Sequence, residues 1–117
     1  MAGFIARQPN GLICRHSTIC DCITDYNMTE EEYINLCEKE RGISREDSVD
    51  TINNYMRDFS EVSEWYCPNN MSVEQFVKMW EEMKQPKEQC KHTRTVCDVK
   101  NVDTELKKWK EKKRLLK

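Results

Sequence analysis

Apolar residues near the N-terminus fall into two short runs, at positions 4–6 and 12–14, with Pro-Asn-Gly between them at 9–11. Asn and Gly tolerate the positive φ angles of tight turns, so this spacing is typical of a β-hairpin. We therefore predict a hairpin over residues 3–18. The residues around 19–23 are consistent with a third short strand, and such a hairpin needs helices to cover it.

Downstream, the apolar period changes to three and four residues, which indicates helices. Val49, Ile52, Met56 and Phe59 form one such stripe, so we predict a second helix from about 44 or 45 to 59 or, at its longest, 65. The other predicted helices cover about 30–41, 73–84 and 103–116, with a loop or short strand at 87–98. The predicted fold class is α+β and mostly helical: an N-terminal β-hairpin followed by about four helices.

Two of the predicted helices begin with nearly the same sequence. Asn-Met-Thr at 27–29 and Asn-Met-Ser at 70–72 each precede a helix, and the third helical position holds Glu32 in one and Gln75 in the other. A hydroxyl residue followed by Glu or Gln at this spacing predicts a capping box, and the Met predicts a hydrophobic staple. The match indicates either an internal duplication or one capping solution reached twice; the second is favoured because every shared position has a capping role.

The domain prediction is a compact α+β domain over 1–98 and a basic amphipathic helix over 99–117. This C-terminal helix is expected either to pack on its own domain or to bind a partner, including a second copy of the chain. Its apolar residues follow heptad-like a and d positions: Val99, Val102, Leu106, Trp109 and Leu116.

Charge is unevenly distributed along the 117 residues, although the net charge is only −2. Residues 21–64 hold 13 Asp/Glu against 4 Lys/Arg, and residues 100–117 hold 8 Lys/Arg against 3 Asp/Glu. An acidic surface repels nucleic acid and attracts basic surfaces. The candidate partner-binding residues are Glu30, Glu31, Glu38, Glu46, Asp47 and Asp50.

The basic C-terminal stretch is a weaker candidate for contact with phosphates. Its residues are Lys107, Lys108, Lys110, Lys113 and Arg114, interleaved with Trp109. A run of this kind is more often the solvated face of a helix. With a sequence pI of about 5.8, direct nucleic-acid binding is the less favoured expectation.

Cysteine and histidine form the strongest chemical motif. Cys14, His16, Cys20 and Cys22 offer four ligands for zinc, but each close pair is separated by one residue rather than the usual two to four. We therefore favour no metal and no cofactor. Seven cysteines, an odd number, without an apparent secretion signal indicate reduced thiols in the cytoplasm.

No enzyme signature is present in the sequence. His16 and His92 are the only histidines that could serve a cysteine nucleophile, and there is no phosphate-binding glycine loop or hydrolase motif. The chain contains no apolar run long enough to span a membrane. These observations predict a non-catalytic cytoplasmic protein with no membrane association.

Three segments carry a resemblance to known proteins: GFIARQPNGLICR at 3–15, TDYNMTEEEYI at 24–34 and PNNMS at 68–72. They resemble small accessory proteins of phages and prophages of Gram-positive (Firmicutes) bacteria, over roughly the first 85 residues. The group brings no assigned activity, so no functional residue is transferred. What the resemblance implies is a setting, in which small acidic proteins often bind and block a host protein.

The function predicted from the sequence is non-catalytic binding that blocks a host protein. The most specific form is an anti-CRISPR-like inhibitor of a CRISPR effector or other defence nuclease, acting through the acidic residues. One alternative is a zinc-supported regulatory module that binds nucleic acid through the basic C-terminal helix. Another is a homodimeric scaffold protein that associates through residues 99–116.

Overall fold

The computed structural model describes residues 3–115 and begins with three antiparallel strands. Strand β1 covers Gly3–Arg7, β2 covers Ile13–Ser17 and β3 covers Cys22–Met28. The predicted N-terminal hairpin is confirmed, and its turn closes through a 2.8 Å bond from the Gln8 amide to the Leu12 carbonyl. The third strand is longer and starts later than predicted, because the chain is still turning at Asp21, where φ is +57°.

The predicted second helix is wrong beyond residue 54. Helix α1 covers Glu30–Arg41 as predicted, but α2 covers only Arg45–Asn54 and is followed by strand β4, Met56–Arg57, and helix α3, Ser60–Trp65. Strand β4 pairs in parallel with β1, with Met56 opposite Ile5. A hydrogen-bonded partner strand is available there, and this non-local pairing overrides the local helical period.

The apolar stripe that suggested one long helix is divided between different surroundings. Val49 is 42% exposed, whereas Ile52 is buried and Met56 packs with it. Phe59 packs in a separate apolar cluster. The spacing therefore reflects a chain passing the edge of the sheet and not one face of a continuous helix.

The C-terminal half adds helix α4, Val73–Glu82, strand β5, Thr93–Arg94, and helix α5, Val102–Lys112. Short 3-10 helices cover Lys87–Gln89 and Lys113–Leu115. The sheet is mixed, with strand order β4-β1-β2-β3-β5. The α+β class is confirmed, with 48% helix and 19% strand. The described residues nevertheless form five α-helices and five strands, so the description as a hairpin with about four helices is corrected.

Alternating residues of the central strands build two separate cores, one on each face of the sheet. Ile5 and Ile13 point to the side covered by α1 and α2, where they pack with Tyr33. Phe4 and Cys14 point to the other side. That side is covered by α3, α4 and α5 and contains most of the aromatic residues: Tyr26, Tyr66, Phe76, Trp80 and Trp109.

Helix α5 packs on its own domain through Trp109, one of the predicted heptad positions, but not through all of them. Trp109 is buried and meets the rings of Tyr66 and Phe76 edge-on, at centroid distances of 4.8 and 5.1 Å. Val102, a predicted contact position, is 40% exposed. Leu116, the last predicted position, lies outside the described residues.

The two helix starts are both capped, but only the first forms a complete capping box. The Thr29 hydroxyl accepts from the Glu32 amide, and the Glu32 carboxylate accepts from the Thr29 amide at 2.9 Å. At the second start, the Ser72 hydroxyl accepts from the Gln75 amide at 3.1 Å. The Ser72 amide donates to Asp98 at 2.8 Å, so an aspartate from a distant segment takes the place predicted for Gln75.

Candidate functional site

The six acidic candidates occupy the two helices that cover one face of the sheet. All six are exposed, and we call this group the acidic face: Glu30, Glu31, Glu38, Glu46, Asp47 and Asp50. Helices α1 and α2 bury only a few residues each toward the sheet. Their other positions therefore remain available to solvent, and the sequence fills many of them with carboxylates.

Two members of the acidic face are engaged in ion pairs. Glu30 accepts from Arg7 at 3.1 Å, and Glu31 accepts from Arg45 at 2.6 Å. All four side chains are substantially exposed, so these pairs contribute little to stability. They do offset part of the negative charge at the start of α1.

The remaining four carboxylates form no salt bridge with any residue of the described part of the chain. They are Glu38, Glu46, Asp47 and Asp50. Asp50 accepts a 2.6 Å hydrogen bond from Asn54, one turn later, but this is a neutral donor. The net negative charge of the acidic face therefore lies mainly on α2 and on the end of α1 next to it.

The basic candidates lie in the helical layer on the other side of the sheet. All five are exposed: Lys107, Lys108, Lys110, Lys113 and Arg114. Lys108 donates to Glu105 at 3.4 Å. Because α5 packs with α4 and the acidic face belongs to α1 and α2, the two charged segments do not neutralise each other.

The candidate zinc ligands lie mostly in the interior of the protein. Cys14, His16 and Cys22 are all buried, and Cys20 is half-buried. Burial raises the pKa of Cys14 and of Cys22 to about 12, which opposes the thiolate form that zinc requires. Among residues 3–115, no three His, Cys, Asp or Glu side chains are grouped so that they could hold a metal ion.

His16 is the least expected residue of that set. It is 1% exposed, its ring stacks on Phe4 at 4.7 Å, and neither ring nitrogen has a hydrogen-bond partner among residues 3–115. Burial lowers its pKa to about 4, so the ring is neutral at physiological pH. An unpaired buried polar ring is costly, which makes His16 a point of acid sensitivity.

A cluster of charged residues around the buried Asp25, at the β3–β5 edge of the sheet, was not predicted from the sequence. Asp25 on β3 is buried and lies 2.8 Å from His92 Nε2 and 3.2 Å from Arg94 Nε. Arg94 also donates to Glu40 on α1, at 3.0 Å through Nη1, and this hydrogen bond lowers the pKa of Glu40. The signal in the sequence is weak, because Asp25 lies between other polar residues of β3, Thr24 and Asn27, and its partners are 67 and 69 residues away.

The comparisons with known proteins yield no relative: no family model matches the chain, and no curated protein or solved structure is significantly similar to it. Within the described residues, no helix has the length and apolar character needed to cross a membrane. All seven cysteines are free thiols. Support for a function therefore comes from the exposed charged residues of the structure.

Proposed function

We propose that this chain is a non-catalytic binding protein whose acidic face occupies a basic surface on a host protein. The favoured target is a surface that otherwise binds nucleic acid, as in a CRISPR effector or another defence nuclease in the cytoplasm of a Gram-positive bacterium. The resemblance to phage accessory proteins supplies the setting of this proposal. The geometry of α1 and α2 supplies the surface.

The observation that carries the proposal is the set of four exposed carboxylates without ion pairs on two adjacent helices. Exposed like charges concentrated on one side of a small protein attract an oppositely charged surface and accelerate its association. The same charges disfavour contact with nucleic acid. A protein partner with a basic groove therefore suits this face better than DNA or RNA does.

The second support is the separation of charge across the sheet. The basic stretch of α5 belongs to the layer opposite α1 and α2, and the most buried large side chain of α5, Trp109, is turned toward its own domain. A basic partner can approach the acidic face without meeting that basic stretch. The zinc-supported and homodimeric alternatives gain no comparable support from the arrangement of α5 or of the cysteines.

The proposal is tested by reversing the four unpaired charges together and measuring capture of host proteins. The variant carries Glu38→Lys, Glu46→Lys, Asp47→Lys and Asp50→Lys. A matched control carries four reversals at exposed positions of α3, α4 and α5 in the other layer: Glu64→Lys, Glu74→Lys, Glu81→Lys and Glu111→Lys. The helix dipole makes reversal of a first-turn acid costly, and this applies to Glu46 and Asp47 in the first set and to Glu74 in the control.

Quantitative mass spectrometry of material captured from a Gram-positive lysate compares the two variants with the unchanged protein. We expect a nucleic-acid-binding partner that the unchanged protein and the control variant retain and that the α1–α2 variant loses. Circular dichroism melting establishes that both variants are folded. Equal capture by the two variants, or no partner for the unchanged protein, would overturn the proposal.

A further inference from the structure

Four of the seven cysteines lie around the turn that leads into β3: Cys20, Cys22, Cys67 and Cys97. The side chain of Asn70 donates to the Cys20 carbonyl at 3.1 Å and accepts from the Cys97 thiol at 3.7 Å. The Cys67 amide donates to the carbonyl of Asp21 at 2.8 Å. The four are not grouped so that three of them could hold a metal ion, which leaves the chemistry of thiol pairs.

The register between β3 and β5 places one of these pairs opposite each other. The two strands are antiparallel, and Asp25 is the partner of Arg94. Each step back along β3 is one step forward from β5, so continuing the register by three residues sets Cys97 opposite Cys22. Cβ atoms of directly opposite residues are about 4.5–5.5 Å apart, and those of a disulfide are about 3.5–4.5 Å apart. Continuation of the register therefore brings this pair close to the separation of a disulfide.

Two observations support this continuation of the register. The Thr95 amide donates to the Thr24 carbonyl at 2.9 Å, so the chain still follows β3 one residue beyond the end of β5. The second observation is electrostatic: burial is the main cause of the raised pKa of Cys22, and the neighbouring Cys20 and Cys97 raise it further. Thiols that affect one another's ionisation in this way are close in space.

Cys97 and Cys22 differ in exposure, and the difference suits oxidation in two steps. Cys97 is exposed and Cys22 is buried, so a dissolved oxidant reaches the Cys97 thiol first. Residues 95–99 form neither helix nor strand. This segment can therefore shift by the small distance that separates a cross-strand pair from a disulfide.

We propose that Cys22 and Cys97 form a reversible disulfide when a peroxide oxidises the protein. Disulfides in cytoplasmic proteins are usually transient and respond to redox conditions, which suits a pair that is reduced in the resting protein. Cys20 is a less suitable partner for Cys97, because it lies in the turn before β3 and outside the strand register. The pair lies outside the acidic face, so failure of this proposal would leave the proposed function standing.

The reaction consumes one molecule of hydrogen peroxide. The Cys97 thiolate attacks a peroxide oxygen, the O–O bond breaks, and a sulfenic acid and hydroxide form. The Cys22 thiolate then attacks the sulfenic sulfur, the S–O bond breaks, and a second hydroxide leaves as the S–S bond forms. The two thiol protons convert both hydroxides to water. Two thiols thus lose two electrons and two protons, and the peroxide is reduced to two waters.

The disulfide ties the segment before α5 to the first residue of β3. Asp98, the neighbour of Cys97, accepts from the amide and the hydroxyl of Ser72 at the start of α4. Oxidation therefore fixes β3, the start of α4 and the segment that leads into α5 relative to one another. Because the bond closes most of the chain between residues 22 and 97 into one loop, it also restricts the unfolded state.

The test is oxidation of the full chain with hydrogen peroxide, followed by alkylation of the remaining thiols and mapping of linked peptides by mass spectrometry. We expect an intramolecular link between Cys22 and Cys97 as the main product, removed by dithiothreitol. Any other main product, including a link from Cys97 to Cys20 or Cys67 or no intramolecular link, would overturn the proposal. An equal share of the expected link after oxidation in urea would do the same, because the fold would then not select the pair.

Two variants connect the link to stability. Cys97→Ser changes an exposed residue and should leave the fold intact, and Cys20→Ser changes a neighbouring thiol as the matched control. Oxidation should raise the urea midpoint by about 1 M or more in the unchanged protein and in Cys20→Ser, but not in Cys97→Ser. The same rise in Cys97→Ser, or no rise in the unchanged protein, would contradict the assignment. Loss of the rise in Cys20→Ser would also contradict it.

Discussion

The helix starts at Thr29 and Ser72 have nearly the same sequence but are stabilised in different ways. The start of α1 is stabilised locally. Both hydrogen bonds of its capping box are exposed and join Thr29 to Glu32, three residues later. The start of α4 depends on the C-terminal third of the chain. Asp98 accepts from both the amide and the hydroxyl of Ser72, and Glu105 accepts from the Val73 amide at 2.9 Å.

The two faces of the sheet differ in the same sense. The α1–α2 face has a small core beneath an exposed acidic surface, and the α3–α5 face holds an aromatic core. On the α3–α5 side, hydrogen bonds to Asp98 and Glu105 connect the start of α4 to a distant part of the chain. The comparison indicates a division of roles. One layer supplies most of the aromatic core, and the other presents the acidic face that we propose as a binding surface.

The largest effect on stability is expected from loss of the Trp109 ring, which belongs to the aromatic core on the α3–α5 side of the sheet. Trp109→Ala removes a buried ring that contacts two others, and we expect it to lower the free energy of unfolding by about 3–5 kcal/mol. Val102→Ala, in the same helix but largely exposed, should change it by less than about 0.5 kcal/mol. Urea denaturation measures both, and equal effects would show that α5 does not pack as described.

The next largest effect is a dependence of stability on pH. It originates at His16, which stacks on Phe4 on the α3–α5 side of the sheet. The pKa of His16 is about 4 in the folded protein and about 6.5 for a free histidine side chain, so the unfolded state binds more protons between these pH values. Stability is therefore retained above pH 6.5 and falls as pH drops toward 4, by up to about 3 kcal/mol from this residue. His16→Phe should reduce that slope in urea titrations; an unchanged slope would exclude His16 as its source.

The smallest effects test the two caps directly. Thr29→Ala should cost about 1 kcal/mol, the usual value for a local N-cap. Ser72→Ala should cost about 2–3 kcal/mol, because it also removes a hydrogen bond to the carboxylate of Asp98.

A double-mutant cycle measures how strongly each cap residue is coupled to Asp98. Ser72→Ala combined with Asp98→Ala should deviate from additivity by more than about 0.5 kcal/mol, whereas Thr29→Ala combined with Asp98→Ala should be additive. Coupling in both pairs, or in neither, would remove the distinction between a local start and a tertiary start.

Sequence reasoning succeeded where the determinants are local. The hairpin, the bounds of α1 and the cap residues follow from turn chemistry and helix capping within a few residues. It failed where distant segments decide the outcome. Strand β4 interrupts the predicted second helix because β1 offers an edge to pair with, and Asp98 replaces Gln75 because the segment before α5 reaches the start of α4.

The candidate surfaces show the same limit. The charges of α1 and α2 can be read from the sequence, but which of them are paired depends on Arg7 and Arg45.

The most direct test of the central claim is a displacement measurement with the purified partner. A labelled nucleic acid is bound to that partner, and release is followed as the chain is added at low and at high ionic strength. We predict that the unchanged protein displaces the nucleic acid, less effectively as salt screens the charges, and that the variant reversed at Glu38, Glu46, Asp47 and Asp50 does not. Displacement by that variant equal to that by the unchanged protein would contradict the account.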